Sequence, residues 1–125
     1  MTSKNTRDMG TEGEQRAVDF LIANNYTILK TNYRVGRIGE IDIIAKDAEY
    51  ICFIEVKTRR SYSFGTPGEA VTFPKQEKIK LIASIYLSNT GNMNSCVRFD
   101  VVEVLMVSIN STNEIKNINL IKNAF

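Results

Sequence analysis

The chain has 125 residues, 43% of them hydrophobic, which is enough for one packed core and too little for two independent ones. It contains no His, so imidazole acid–base pairs, Ser-His-Asp triads and His-metal sites are excluded together, and any catalysis must rest on carboxylates, lysines or hydroxyls. A formal net charge of +2 is too small to argue for a nucleic-acid partner by itself.

The polar start Met1 to Asp8 lacks the apolar stretch of a secretory signal, and no apolar run approaches the roughly 20 residues of a membrane span. A cytoplasmic location is therefore expected. Residues 1–10 are expected to be a flexible segment and residues 11–125 a single domain. Cys52 and Cys96 stand apart among apolar strand residues without the paired spacing of zinc or redox sites, so both are expected to be buried thiols.

The first helix is predicted from Thr11 to about Asn25, where Ala17, Val18, Leu21 and Ile22 recur at helical spacing before Asn24-Asn25 stops it. Glu14 falls on its apolar side near the start. Two roles fit it: an acidic group reaching a site on the sheet, or the partner of Thr11 in a capping box. Tyr26 to Arg34 reads as a strand ending at a turn around Gly36, and Ile38–Lys46 and Tyr50–Arg59 read as two more strands.

Those two strands carry the unusual residues. Asp42, Glu55 and Lys57 interrupt apolar runs where a core would place Val or Ile. With Ala48-Glu49 as a two-residue turn, Asp42 pairs with Glu55 and Glu40 with Lys57, and strand alternation puts all four on one face. Opposed carboxylates about 5 Å apart repel by roughly 3 kcal/mol at an effective dielectric near 20. A divalent cation would offset that, since Mg²⁺ is usually held by one or two carboxylates, waters and a substrate phosphate. Strand charges also serve to keep an exposed edge from aggregating, but that role needs no convergence of two carboxylates and an ammonium.

Arg60 to Gly68 is expected to be a loop by its Gly, Pro and Ser content, with Arg59 and Arg60 near Tyr62 and Phe64, a combination that can grip a backbone and stack an unpaired base. The second helix is predicted from Thr72 or Phe73 to Asn89, with Pro74 in its first turn. It opens with Lys75, Lys78 and Lys80 although the helix dipole favours acidic residues there, which suits either a phosphate site or a solvated basic face. Gln76 faces the same way as Ile79 and Ala83 and could add a hydrogen bond. Between Lys57 and Lys80 six basic residues stand against two acidic ones, an electrostatic footprint for a polyanion on an otherwise near-neutral chain. Val97–Val107 is a strong strand and Ile115–Ile121 a weaker one, so the order α-β-β-β-α-β-β implies a mixed sheet with flanking helices.

Gly13-Glu14, Gly39-Glu40-Ile41-Asp42-Ile43-Ile44-Ala45, Phe53-Ile54-Glu55-Val56-Lys57-Thr58-Arg59, Phe64-Gly65 with Pro67 and Glu69-Ala70-Val71, Lys75-Gln76, Arg98-Phe99-Asp100-Val101-Val102 and Ile121 to Phe125 together resemble the bacterial YraN-like family, over nearly the whole chain from Gly10. That family is similar to the Holliday-junction resolvases of the restriction-endonuclease-like superfamily. The resemblance implies an α/β fold, an αβββαβ sandwich with a mixed central sheet, and Mg²⁺-dependent cleavage of DNA, branched DNA included, with Mn²⁺ as a substitute metal. It implies Asp42, Glu55 and Glu14 as metal ligands and Lys57 as the charge-stabilising or water-activating residue. Arg59, Arg60, Lys75, Gln76 and Lys78 would contact the nucleic acid, and a homodimer follows by analogy with resolvases. The sequence departs from the superfamily pattern at Ile41, where Pro precedes the acidic residue, and at Leu120, where many relatives have His. The alternatives are a non-catalytic nucleic-acid-binding module of the same fold and an interaction domain that recruits partners at an edge strand.

Overall fold

The computed structural model describes residues 6–60 and 71–125. In chain order the elements are α1 (Thr6–Ala23), β1 (Thr27–Val35), β2 (Gly39–Asp47), β3 (Tyr50–Arg59), α2 (Phe73–Asn89), β4 (Cys96–Ile109) and β5 (Thr112–Ile121). The five strands form one sheet in the order β1-β2-β3-β4-β5. All neighbours are antiparallel except β3 and β4, which run parallel because α2 carries the chain back across the sheet between them. This is the restriction-endonuclease-like α/β architecture with a further antiparallel strand, β5.

Strand alternation divides the core in two. Ile43 and Ala45 of β2 and Cys52 and Ile54 of β3 face α1, where they pack with Ala17, Leu21, Val102 and Val104. Ile44, Ile51 and Phe53 point the other way and meet Ile79, Ile82, Ala83 and Leu87 of α2. Each helix thus covers one face, and the central strands are apolar on both sides.

Local chemistry accounts for the element boundaries. Asn25, in the left-handed region at φ 69°, follows α1, and the Tyr26 N–H returns to the Leu21 carbonyl at 2.9 Å, which closes the helix. Thr72 caps α2 by accepting from the Lys75 N–H, and Pro74 sits where a missing donor is harmless. Three expectations are corrected. The first helix begins at Thr6, so Thr11 is interior to it and cannot be its N-cap. Cys96 is exposed at the first position of β4, while Cys52 is buried as expected. The last strand starts at Thr112 because β4 and β5 are joined by a tight turn through Asn110 and Ser111, both at positive φ. No helix among the described residues is long and apolar enough to cross a membrane.

Candidate metal centre

The β2–β3 hairpin has the register set by its Ala48-Glu49 turn, from Asp47 opposite Tyr50 to Ile43 opposite Ile54. Beyond that pair side chains take over from the backbone ladder. The Val56 N–H donates to Asp42 Oδ2 at 2.8 Å, and the Asp42 N–H donates to Glu55 Oε2 at 3.3 Å. Each strand's carboxylate therefore closes on the other strand's backbone, which brings the two acidic groups near enough for the Glu55 charge to act on Asp42. Ile41 packs in the α2-side core and Ile43 in the α1-side core, although strict alternation would keep them together, so β2 slips by one face at Asp42. The face-to-face pairing expected for Asp42 and Glu55 is replaced by this crossed arrangement. Glu40, which the pattern set opposite Lys57, pairs with Arg34 of β1 and accepts from Asn32.

Burial makes this cluster electrostatically tense. Glu55 is 1% exposed. Desolvation first, and the neighbouring Glu55 charge second, push the Asp42 carboxyl up to about 7. Desolvation also raises Glu55, against the pull of Lys75, whose Nζ lies 3.1 Å from Glu55 Oε1. Desolvation and then the Lys75 charge lower Lys57, with Glu55 and Asp42 opposing. Burial alone would lower Lys75, but the Glu55 charge, hydrogen bonds with Lys57 and Glu55 and the Asp42 charge together raise its pKa.

On the α1 side, Glu14, Gln15, Val18, Thr31, Asn32, Asp42 and Ile43 line a cavity of about 110 Å³. Glu14 reaches it because α1 lies unusually close to β3: a Cβ on Gly13 would fall on Thr58 Oγ1, so only glycine allows this approach. Asn32 Nδ2 donates to Glu14 Oε1 at 3.0 Å and to Glu40 Oε2 at 3.1 Å, which fixes Glu14 at the rim. Asn32 does this from a left-handed conformation, φ 50°, that asparagine tolerates better than most residues.

The residues expected to contact nucleic acid are scattered differently. Lys75 belongs to the acidic cluster itself, and Lys78 lines a neighbouring cavity of about 360 Å³ floored by Ile38, Ile79 and Ile82. The Gln76 side chain donates to the Val71 carbonyl at 3.0 Å and so ties down the entry to α2. Arg59 Nε sits 3.1 Å from the buried Glu103 of β4, while Arg60 is exposed. Tyr62 and Phe64, with the rest of residues 61–70, lie outside the described residues.

The donors suit a hard cation that keeps part of its hydration. Two neighbouring carboxylates, Glu55 buried, are tied to each other's backbone, and among the described residues no group of three or more His, Cys, Asp or Glu could hold a metal alone. One or two carboxylates completed by waters and phosphate is the ordinary Mg²⁺ arrangement. Two participants were not legible in the sequence. Asn32 left only a faint signal, a poor strand former inside a β-forming run. The sequence points Lys75 toward phosphate, since helical spacing says nothing of Glu55, twenty residues earlier on the sheet.

The family model described as "Uncharacterised protein family UPF0102" matches residues 13–104, the stretch that carries Glu14, Asp42, Glu55, Lys57, Lys75 and Glu103. The chain belongs to the UPF0102 family. UPF0102 is the YraN family that the sequence motifs resemble. The chain is 53% identical over 121 residues to a UPF0102 protein of Acetivibrio thermocellus, covering 97% of this chain and 93% of that one. A UPF0102 protein of Caldicellulosiruptor saccharolyticus is 50% identical, covering 97% and 99%, and one of Clostridium botulinum is 49% identical, covering 95% and 94%. This UPF0102 chain therefore spans nearly the full length of the relatives it matches.

Proposed function

We propose that this UPF0102 protein is a Mg²⁺-dependent endonuclease that hydrolyses DNA phosphodiester bonds, with branched DNA as a candidate substrate and Mn²⁺ as a substitute metal. The observation that carries this is the crossed Asp42–Glu55 pair with Lys57 and Lys75 beside it, an acidic pair flanked by ammonium groups in the C-terminal half of β3. Ligand sites of α/β sheets favour the carboxyl ends of parallel strands, and β3 runs parallel to β4 here.

Asp42 and Glu55 would hold the ion, with Glu14 acting from the cavity rim through water. The bound ion would polarise the scissile phosphate and lower the pKa of an attacking water. Lys57 stabilises the negative charge that grows on the phosphoryl oxygens. Lys75 and Lys78 at the start of α2, with Arg60, draw the flanking backbone by charge. A homodimer would place two such sites on two strands.

A panel of linear, flapped and four-way DNA incubated with Mg²⁺ or Mn²⁺ tests this. Cleavage by the unmodified protein and none by Glu55→Ala, with DNA affinity equal or tighter because a negative charge has gone, is the expected result. Full activity in Glu55→Ala refutes the assignment. The Lys75–Glu55 ion pair favours a second reading, a non-catalytic DNA-binding module in which the lysine permanently neutralises the acid. Salt-dependent DNA binding with no cleavage of any substrate would select it.

A further inference from the structure

The two partners of the Lys75–Glu55 pair are unequally free. Glu55 is fixed on β3, its side chain 2% exposed and its Oε2 engaged by the Asp42 N–H, so Oε1 is the oxygen left to Lys75. The Lys75 side chain is 43% exposed, in the first turn of α2. It also borders the cavity of about 360 Å³ that Lys78 lines, so its ammonium has a second place to go. A lysine head is a compact charge on a flexible four-carbon stem, suited to such a move.

A divalent cation approaching Glu55 Oε1 meets this ammonium at contact distance, and the two like charges compete for one carboxylate. A phosphate arriving at the start of α2 changes the balance, because it offers Lys75 another anion while Lys78 and the positive end of the helix dipole add to the attraction. Lys57, held on β3 itself, stays with the carboxylates.

We propose that Lys75 is a resident counter-ion of Glu55 that yields its place to a divalent cation when DNA phosphate draws it away, so that metal loading and DNA binding are coupled through this one side chain. This rests on the metal-centre reading above and adds to it a regulator. Linkage makes the effect reciprocal: whatever DNA adds to metal affinity, metal adds to DNA affinity.

The test is Mn²⁺ affinity of the DNA-free protein, read from the electron paramagnetic resonance signal of the unbound ion, for the unmodified chain and for Lys75→Met, Lys75→Gln, Lys78→Met and Glu55→Gln. Lys75→Met is expected to bind Mn²⁺ tighter by about 5- to 150-fold, the usual range of a coupling between sites. Lys75→Gln, which can still donate a hydrogen bond to Glu55, should fall between. Lys78→Met should change affinity by no more than about twofold, the effect of one screened charge farther off. In a second arm, Mn²⁺ should raise the affinity of the unmodified chain for an uncleavable phosphorothioate duplex more than it raises that of Lys75→Met.

No tightening in Lys75→Met, or equal tightening in Lys78→Met, overturns the proposal. If the unmodified chain binds Mn²⁺, Glu55→Gln loses it and Lys75→Met is unchanged, the counter-ion role falls while the metal centre stands. Absence of Mn²⁺ binding in every form overturns both.

Discussion

Two charged clusters sit on the same sheet, one level with the first half of β3 and one with its second half, and they are built from similar residues to opposite effect. At the start of the strand, Arg98 on β4 donates to Asp100 through Nε and Nη2 at 2.9 Å, to Asp47 at 2.9 Å and to the Tyr26 hydroxyl at 2.7 Å. The Asn123 N–H fills a further lone pair of Asp100, which is fully buried, and Lys122 lies 3.5 Å from Asp47. A planar guanidinium fork meets its carboxylates with nearly every polar group satisfied. In the second half, Asp42 and Glu55 each accept one backbone N–H, and Lys75 and Lys57 supply the countercharge. Saturated partners make the first cluster a clamp, and the fewer bonds of the second are what the proposed metal reading builds on.

Breaking the two clusters should therefore have unequal results. Arg98→Met leaves Asp100 buried without its counter-charge and should cost about 3–5 kcal/mol of stability in urea unfolding. Glu55→Gln in the metal-free protein should stay within about 1 kcal/mol of the unmodified chain, since a strained buried charge disappears along with its ion pair. Equal losses in the two variants would erase the distinction. Next in size, Gly13→Ala should cost about 1–3 kcal/mol through the clash with Thr58, and Thr58→Ala should restore much of it, a non-additivity that a double-mutant cycle reads directly.

A pH scan of thermal stability separates the clusters by sign. The folded-state pKa of Asp42 is raised to about 7 by burial and then by Glu55, above an unfolded value near 3.9. Its stabilising contribution is fully present below that unfolded value and is lost as pH rises through 7, so the metal-free protein should melt lower at pH 8 than at pH 5.5. Asp42→Asn should flatten this limb. Asp47 is shifted the other way, its pKa lowered first by its hydrogen bond with Arg98, so its contribution is present above about pH 4 and is lost as pH falls further. Asp47→Asn should flatten the acid limb and leave the neutral one unchanged. The smallest effect expected concerns reactivity: desolvation and then Asp100 push the Cys52 thiol up to about 12, so a thiol reagent should label the exposed Cys96 and reach Cys52 only when Arg98→Met loosens the clamp.

The sequence disclosed the element order, the hairpin register and the two carboxylates, because each depends on local turn chemistry or a period of two. It did not disclose the slip at Asp42, since alternation shows where a strand lies and not where its ladder stops. The Arg98 clamp was equally hidden: its hydroxyl partner, Tyr26, is 72 residues away, in the connection between α1 and β1. Asn32 and Lys75 were obscured for a related reason, as each acts on a residue that only the folded sheet brings near. The helix start at Thr6 was missed because residues 6–10 lack the apolar spacing by which α1 was recognised.

The crossing at Asp42 and Glu55 also gives the molecule a spectroscopic voice. Because the Val56 and Asp42 amide protons are bonded directly to the two carboxylates, their nuclear magnetic resonance frequencies should move whenever a proton, an ion or a substrate alters charge at the pair. Two backbone signals, with no added probe, would then trace occupancy of the centre in solution.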